Sequence, residues 1–300
     1  MSNDGFDYSE RLGADAGGVE LAAYLARRYR HSTPEEWTRR IQAGRVLLDG
    51  ERAAADTVLR VGQLLVWRRP AWREPTAPTT FAILYEDADL LGVAKPAGLP
   101  TLPGGGFLES TLLNRVRSHA PDAAPLHRLG RWTSGIVLFA RTHAARVGLS
   151  RQWASRTVGK RYRALASGVA READFEVRTP IGPLPHPLLG SLHAASPAGK
   201  PASSRVTVVE QRDESFLCDV RIVTGRPHQI RIHLAASGHP LIGDPLYPPG
   251  GVPEPECRAL PGDPGYLLHA AELTFRHPVT GSEVKLECRP PTVLRRLTRD

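Results

Sequence analysis

Methionine occurs once, cysteine three times and lysine four times in 300 residues, aromatics make up 6%, and long apolar runs are missing. Each scarcity excludes something. Cys218, Cys257 and Cys288 are odd in number and lie outside any CxxC pair, which argues against a disulfide-stapled miniprotein and against a thiolate zinc or redox centre. Reduced thiols in a cytoplasmic protein are the expectation. Apolar stretches such as Gly135 to Ala140 are far shorter than the roughly 18–20 residues that cross a bilayer. The N-terminus opens on Asp4 and Asp7, where a secretory leader would be basic and apolar. No membrane association is expected.

What the chain does contain is arginine. A hydrophobic content of 41% suffices for a large folded domain, alone or with a small satellite. The 39 basic residues outnumber 31 acidic ones for a net charge of +8, and all but the four lysines are Arg. The planar guanidinium fork suits phosphate and stacks on bases, so a polyanion partner is favoured. A base-composition bias toward Arg codons explains the Arg:Lys ratio equally well.

The charge is unevenly spread. Residues 1–20 carry five acids against Arg11, whereas residues 21–73 carry eleven Arg against five acids. The first nineteen residues, rich in Gly and Asp, read as a flexible acidic tail. Residues 20–69 read as a compact basic module, and 70–80, with Pro70, Pro75 and Pro78, as an extended linker. Inside the module, Thr33-Pro34-Glu35-Glu36 combines an N-cap, a proline at the first helical position and a Glu able to reach back to the cap. This predicts a helix stopping near Gly44, then a strand at Val46–Leu48 and a turn at Asp49-Gly50. Arg39, Arg40 and Arg45 gather at that helix end as candidate RNA-phosphate ligands, the plain alternative being a solvated Arg face.

From Thr80 onward, β-rich runs at 81–85, 90–94, 136–140, 162–166, 205–209 and 217–222 alternate with helical pieces. An α+β domain over 81–300 is expected. The Pro/Gly/Ala-rich stretches 180–201 and 245–264 read as surface loops. Four segments combine polar residues with Gly and Pro in the manner of loops that carry chemistry: Lys95 to Pro100, His127 to Gly135, Lys160 to Ala164, and Gly225 to Leu234 with its continuation to Tyr247. Gly104-Gly105-Gly106 lacks the Lys-Ser/Thr of a phosphate loop, so no nucleotide cofactor is expected. His228 and His233 lack zinc-protease spacing, so no metal is expected either. Arg226 and Arg231 read as strand residues beside Ile230 and Ile232, and the convergence of Arg and His near glycine turns favours an anion site.

The order of these segments resembles the RluA-like pseudouridine synthases. The pieces that carry the resemblance are Lys95-Pro96-Ala97-Gly98, His127-Arg128-Leu129, Thr133-Ser134-Gly135, Lys160-x-Tyr162-x-Ala164, His228-Gln229-Ile230-Arg231-Ile232-His233 and Gly243-Asp244-Pro245-Leu246-Tyr247. Residues 41–50 in turn resemble the S-four-like RNA-binding module that often precedes that domain. The resemblance implies a mixed, mostly antiparallel sheet with flanking helices, RNA (ribosomal or transfer) as partner, and no cofactor. It implies that Tyr162 packs on the target base, that Arg128 displaces the base from its stack, that Arg226 and His228 contact RNA, and that Arg231 pairs with a catalytic Asp.

That Asp follows His-Arg-Leu in the family, and here the position is Gly130. Breaking a glycosidic bond and rejoining the base through carbon requires a carboxylate as nucleophile or base, and glycine has no side chain. Two readings stand: an RNA-binding relative with impaired catalysis, or an active synthase using a carboxylate from elsewhere, with Asp122, Glu172, Asp174, Glu176 and Asp244 as candidates. On the first reading Arg231 lacks its usual partner and must stay hydrated, find another acid or hold a phosphate.

Overall fold

The computed structural model describes residues 2–297. In chain order the elements are β1 (Phe6–Arg11), α1 (Leu21–Arg28), α2 (Pro34–Gln42), β2 (Val46–Leu48), β3 (Glu51–Arg52), β4 (Leu64–Arg69), β5 (Ala82–Glu86), β6 (Leu90–Lys95), α3 (Leu112–His119), β7 (Ala124–Pro125), β8 (Ser134–Ala140), α4 (His143–Ala154), β9 (Gly159–Ser167), β10 (Asp174–Val177), β11 (Ile181–His186), β12 (Gly190–Ala195), β13 (Ser204–Gln211), β14 (Ser215–Ile222), α5 (Gln229–Ala236), β15 (Leu268–Arg276) and β16 (Glu283–Glu287). The described residues divide into two compact units: those up to 74 with 185–191, and 75–184 with those from 192 onward.

The smaller unit carries a four-stranded sheet in the order β1-β4-β2-β3. Helix α2 begins as its sequence demands, with the Glu36 amide donating to Thr33 Oγ1 at 3.3 Å and the Thr33 amide donating to Glu36 Oε2 at 3.0 Å. Two orphan donors are thereby satisfied at once. Gly44 then takes φ 69°, the left-handed conformation in which the chain leaves the helix and enters β2. The acidic N-terminal stretch is not a loose tail. Residues Phe6–Arg11 pair along all six positions with β4, and the Asn3 side chain donates to Glu74 at 2.9 Å. The sequence lacks a strand-like hydrophobic alternation there because β1 is an edge strand with exposed side chains on both faces.

The larger unit is built on a ten-stranded mixed sheet in the order β10-β13-β14-β9-β15-β8-β6-β5, with β16 also on β15 and β7 also on β8. Strands β8 and β15 pair in parallel; the other pairings are antiparallel. Strands β6 and β8 are apolar on both faces, and alternation sorts them. Leu91, Val93, Val137 and Phe139 pack with Leu112 and Val116 of α3. Leu90, Ile136, Leu138 and Ala140 pack with Ala145 and Leu149 of α4. Each such aliphatic side chain contributes roughly 1.5–3 kcal/mol on burial. Helix α5 places Ile230 and Leu234 on Ala164, Cys218 and Val220 of β9 and β14.

Two expectations change here. Residues 180–201 are not a surface loop but contain the paired strands β11 and β12, whose proline-rich sequence hid them. Residues 229–236, expected as strand, form a helix buried from Gln229 to Ala235; with both faces covered, its apolar residues show neither the helical nor the strand period. No helix among the described residues is long and apolar enough to cross a membrane.

Candidate active site

The loop ahead of β8, the middle of β9 and the start of α5 converge on one face of the large sheet. Tyr162 sits at the seam between the clusters under α3 and α5, and burial pushes its hydroxyl up to about 12. Its hydroxyl therefore stays protonated at any ordinary pH.

Helix α5 starts abruptly, and the Gln229 side chain explains how. Its carbonyl accepts from Thr224 Oγ1 (2.7 Å) and the Arg226 amide (3.0 Å), while its amide donates to the Ser203 carbonyl (2.9 Å) and Ser204 Oγ (3.1 Å). All four hydrogen-bonding positions of a buried Gln are used. His228, the residue before it, is bent to φ 55°, a left-handed conformation uncommon for a side-chain-bearing residue.

One turn into the helix, Arg231 meets Asp244 in a two-pronged ion pair, with both N–O distances 2.7 Å. A third nitrogen donates to the Pro261 carbonyl at 2.9 Å. The guanidinium lies 4.0 Å from the centre of the Tyr266 ring and 5.0 Å from that of Tyr247. Only 3% of the Arg231 side chain and 1% of that of Asp244 is exposed. Burial opposes the Arg231 charge, but the Asp244 hydrogen bonds and charge outweigh it and hold the pKa above its ordinary value. Of the three outcomes open to Arg231, the second is the one found: Asp244 is its acid. That aspartate also accepts the Leu246 and Tyr247 amides at 2.9 and 3.2 Å, so both its oxygens are engaged.

Gly130 lies on the exposed surface of the 127–132 loop. A Cβ built there would meet Tyr266 Oη at 2.8 Å and Thr133 Oγ1 at 3.5 Å. The Tyr266 hydroxyl crowds the point where a side chain at 130 would begin. The other acids considered as substitutes are committed elsewhere or exposed. Asp174 pairs with Arg205 (2.7 Å) and Glu176 with Arg178 (2.8 Å), while Asp122 and Glu172 are exposed.

The remaining site residues divide. Arg128 is exposed, and its charge adds to that of Arg231 in opposing protonation of His228. Burial, reinforced by those charges, depresses His228 to about 3. Tyr247 donates its hydroxyl proton to the His193 carbonyl at 2.7 Å, so His228 Nδ1, 2.7 Å from the same oxygen, must be the donor to it. His228 is a neutral hydrogen-bonding residue, not a phosphate-binding cation. Arg226 is partly tied down by its bond to the Pro201 carbonyl at 3.3 Å. Trp132 donates its indole N–H to the Gly262 carbonyl at 2.9 Å and packs on the α5 cluster. Lys95 is buried and donates to the carbonyls of Pro96, Leu99 and Arg131 at 2.8–2.9 Å, pinning the 96–99 turn to the Gly130 loop. No group of His, Cys, Asp and Glu suited to a metal occurs among the described residues.

Within the smaller unit, Arg39 and Arg45 are exposed. Arg40 instead stacks 4.6 Å from the centre of the Trp37 ring and 5.3 Å from that of Trp67 and donates to Ser32 at 2.8 Å, so it is an internal support rather than a free phosphate ligand. Sequence reasoning missed Tyr266 and Tyr247 as members of the site. Tyr247 stood in a quoted motif and was legible; Tyr266 carried no signal.

The mixed sheet, with Tyr162 on one face and a buried Arg231–Asp244 pair in α5 and the segment after it, belongs to the pseudouridine synthase class of folds by its similarity to known proteins. The RNA pseudouridylate synthase family model matches residues 89–236. The chain is 42% identical over 274 residues to an uncharacterized RNA pseudouridine synthase of Synechocystis sp., covering 90% of this chain and 94% of that one. It is 36% identical over 348 residues to RNA pseudouridine synthase 5 of Arabidopsis thaliana, covering 97% and 94%. Among solved structures, human RNA Pseudouridylate Synthase Domain Containing 1 superposes with a TM-score of 0.56 at 27% identity, covering 73% of this chain and 87% of that one. The chain belongs to the RluA-like family of RNA pseudouridine synthases.

Proposed function

We propose that this protein binds ribosomal or transfer RNA in the cytoplasm and that its uridine isomerisation is impaired, because Gly130 supplies no carboxylate beside the base platform. RNA is held in the cleft by Arg128 with Tyr162, and by residues 20–69 acting as an S-four-like module whose exposed Arg39 and Arg45 meet phosphate. The observation that supports this reading is the surroundings of position 130, which has no side chain: Tyr266 Oη stands 2.8 Å from where a Cβ would lie, and Arg231 is already neutralised by Asp244.

The same ion pair supports a second reading, an active synthase in which Asp244 is the catalytic acid. Weighing against it, Asp244 would have to give up two guanidinium and two amide hydrogen bonds to reach a substrate, and breaking a buried pair costs about 3–5 kcal/mol.

The deciding experiment incubates the wild-type protein, Gly130→Asp and Asp244→Asn with RNA from a strain lacking the protein, and maps new pseudouridines. No modification by the wild type and gain by Gly130→Asp are expected. Modification by the wild type that disappears in a folded Asp244→Asn variant establishes the second reading instead.

A further inference from the structure

Strand β9 presents Tyr162 to the face covered by α3 and α5, so its neighbours Arg161 and Arg163 point through the opposite face of the sheet. There they meet Asp219: Arg163 at 2.7 Å and Arg161 at 3.3 Å. Arg161 also bonds Glu272 at 3.0 Å. Over this network the chain after β16 returns, and between the two lies a cavity of about 880 Å³ whose walls carry five arginines, Arg161, Arg163, Arg289, Arg295 and Arg296, against two acids, Asp219 and Glu287. With Glu272 also offsetting Arg161, positive charge still exceeds negative in one concavity.

The acids are already spent. Asp219 serves Arg161 and Arg163 together, and Glu287 is taken by Lys285 at 2.7 Å. Arg295 bonds the Pro290 carbonyl through Nε at 2.7 Å, and neither it nor the exposed Arg289 has a carboxylate partner among the described residues. Like charges gathered in a recess repel one another and focus a field that draws in an anion. Asp219 meanwhile holds the forks of Arg161 and Arg163 in fixed orientation, and fixed guanidinium forks match phosphate oxygens.

We propose that this cavity is a binding site for a small ligand carrying two or more phosphates, of the size of a nucleoside di- or triphosphate. Its volume falls in the range of small-molecule sites. It lies on the far face of the sheet from Tyr162, so RNA seated on that platform does not place its adjacent phosphates here.

The test is isothermal titration of the full-length protein with inorganic tripolyphosphate, alone and after saturation with a short oligouridylate RNA. Saturable one-to-one binding is expected, weakened at least tenfold in the Arg289→Gln/Arg295→Gln double variant and unchanged in Tyr162→Ala and by the RNA. Arg289 is exposed, and an unaltered thermal transition of the double variant verifies its fold. Absence of saturable binding, equal affinity in the double variant, or displacement by the RNA overturns the proposal.

Discussion

Placing an aspartate at position 130 tests whether the site has been rebuilt around its glycine or has merely lost a side chain. The backbone at Gly130 is not in the left-handed region, so the new residue meets only a steric obstacle. That obstacle is Tyr266 Oη at 2.8 Å from the incoming Cβ, where a comfortable contact needs about 3.5 Å. Tyr266 is 4% exposed and its ring lies 4.0 Å from the Arg231 guanidinium, so the hydroxyl has to retreat by roughly 0.7 Å against packed neighbours. Overpacking of this kind costs about 1–3 kcal/mol. Tyr266→Phe removes the offending oxygen and gives up little, since its Thr133 hydrogen bond is long at 3.5 Å. Urea unfolding of the wild type, both single variants and the double variant therefore yields a favourable coupling of about 1 kcal/mol or more between the two positions. Pseudouridine mapping on the same four proteins follows it, with Gly130→Asp/Tyr266→Phe gaining more activity than Gly130→Asp alone. Additive stabilities, within about 0.5 kcal/mol, would show that Tyr266 does not guard the position, and the steric account fails.

Asp244→Asn leaves the Arg231 charge buried without a counter-charge and is expected to cost about 3–5 kcal/mol, whereas replacing both partners by apolar residues costs less; thermal denaturation of the wild type and these two variants separates a broken pair from a lost one. His127 accepts the Leu138 amide at Nε2 (3.1 Å), and burial, aided by the Lys160 charge, lowers it from 6.5 to about 4. Because the folded value is the lower one, its contribution is complete above about pH 6.5 and is lost as the pH falls toward 4, amounting to at most about 3 kcal/mol. Urea midpoints at pH 7 and pH 4.5 in the wild type and His127→Gln read that difference, and equal pH slopes in the two refute it. RNA affinity is expected to fall linearly with log salt, with a slope shallower by about 2 in Arg39→Gln/Arg45→Gln; a filter-binding series in which the slope is unchanged removes those two arginines from the interface.

The family and the α+β class were legible because short-range chemistry writes them into neighbouring residues. The Thr33–Glu36 box is closed within a single turn, and the apolar runs of β6 and β8 reflect sheet strands covered on both sides. The edge strand β1 was not legible: its pairing with β4 comes from backbone hydrogen bonds made more than fifty residues away, which impose little pattern on side chains that stay in solvent. Helix α5 was misassigned for the opposite reason, since complete burial erases the amphipathic period.

From its sequence alone the chain determines that position 130 can offer no acid and that an arginine awaits one at 231, because both facts are matters of residue identity. Which carboxylate answers Arg231, and what fills the room beside Gly130, were decided only by the fold. Asp244 and Tyr266 lie 13 and 35 residues beyond the arginine in the chain, and they reach it because the segment between α5 and β15 turns back over the helix. Side-chain packing across such separations leaves no trace in spacing or period.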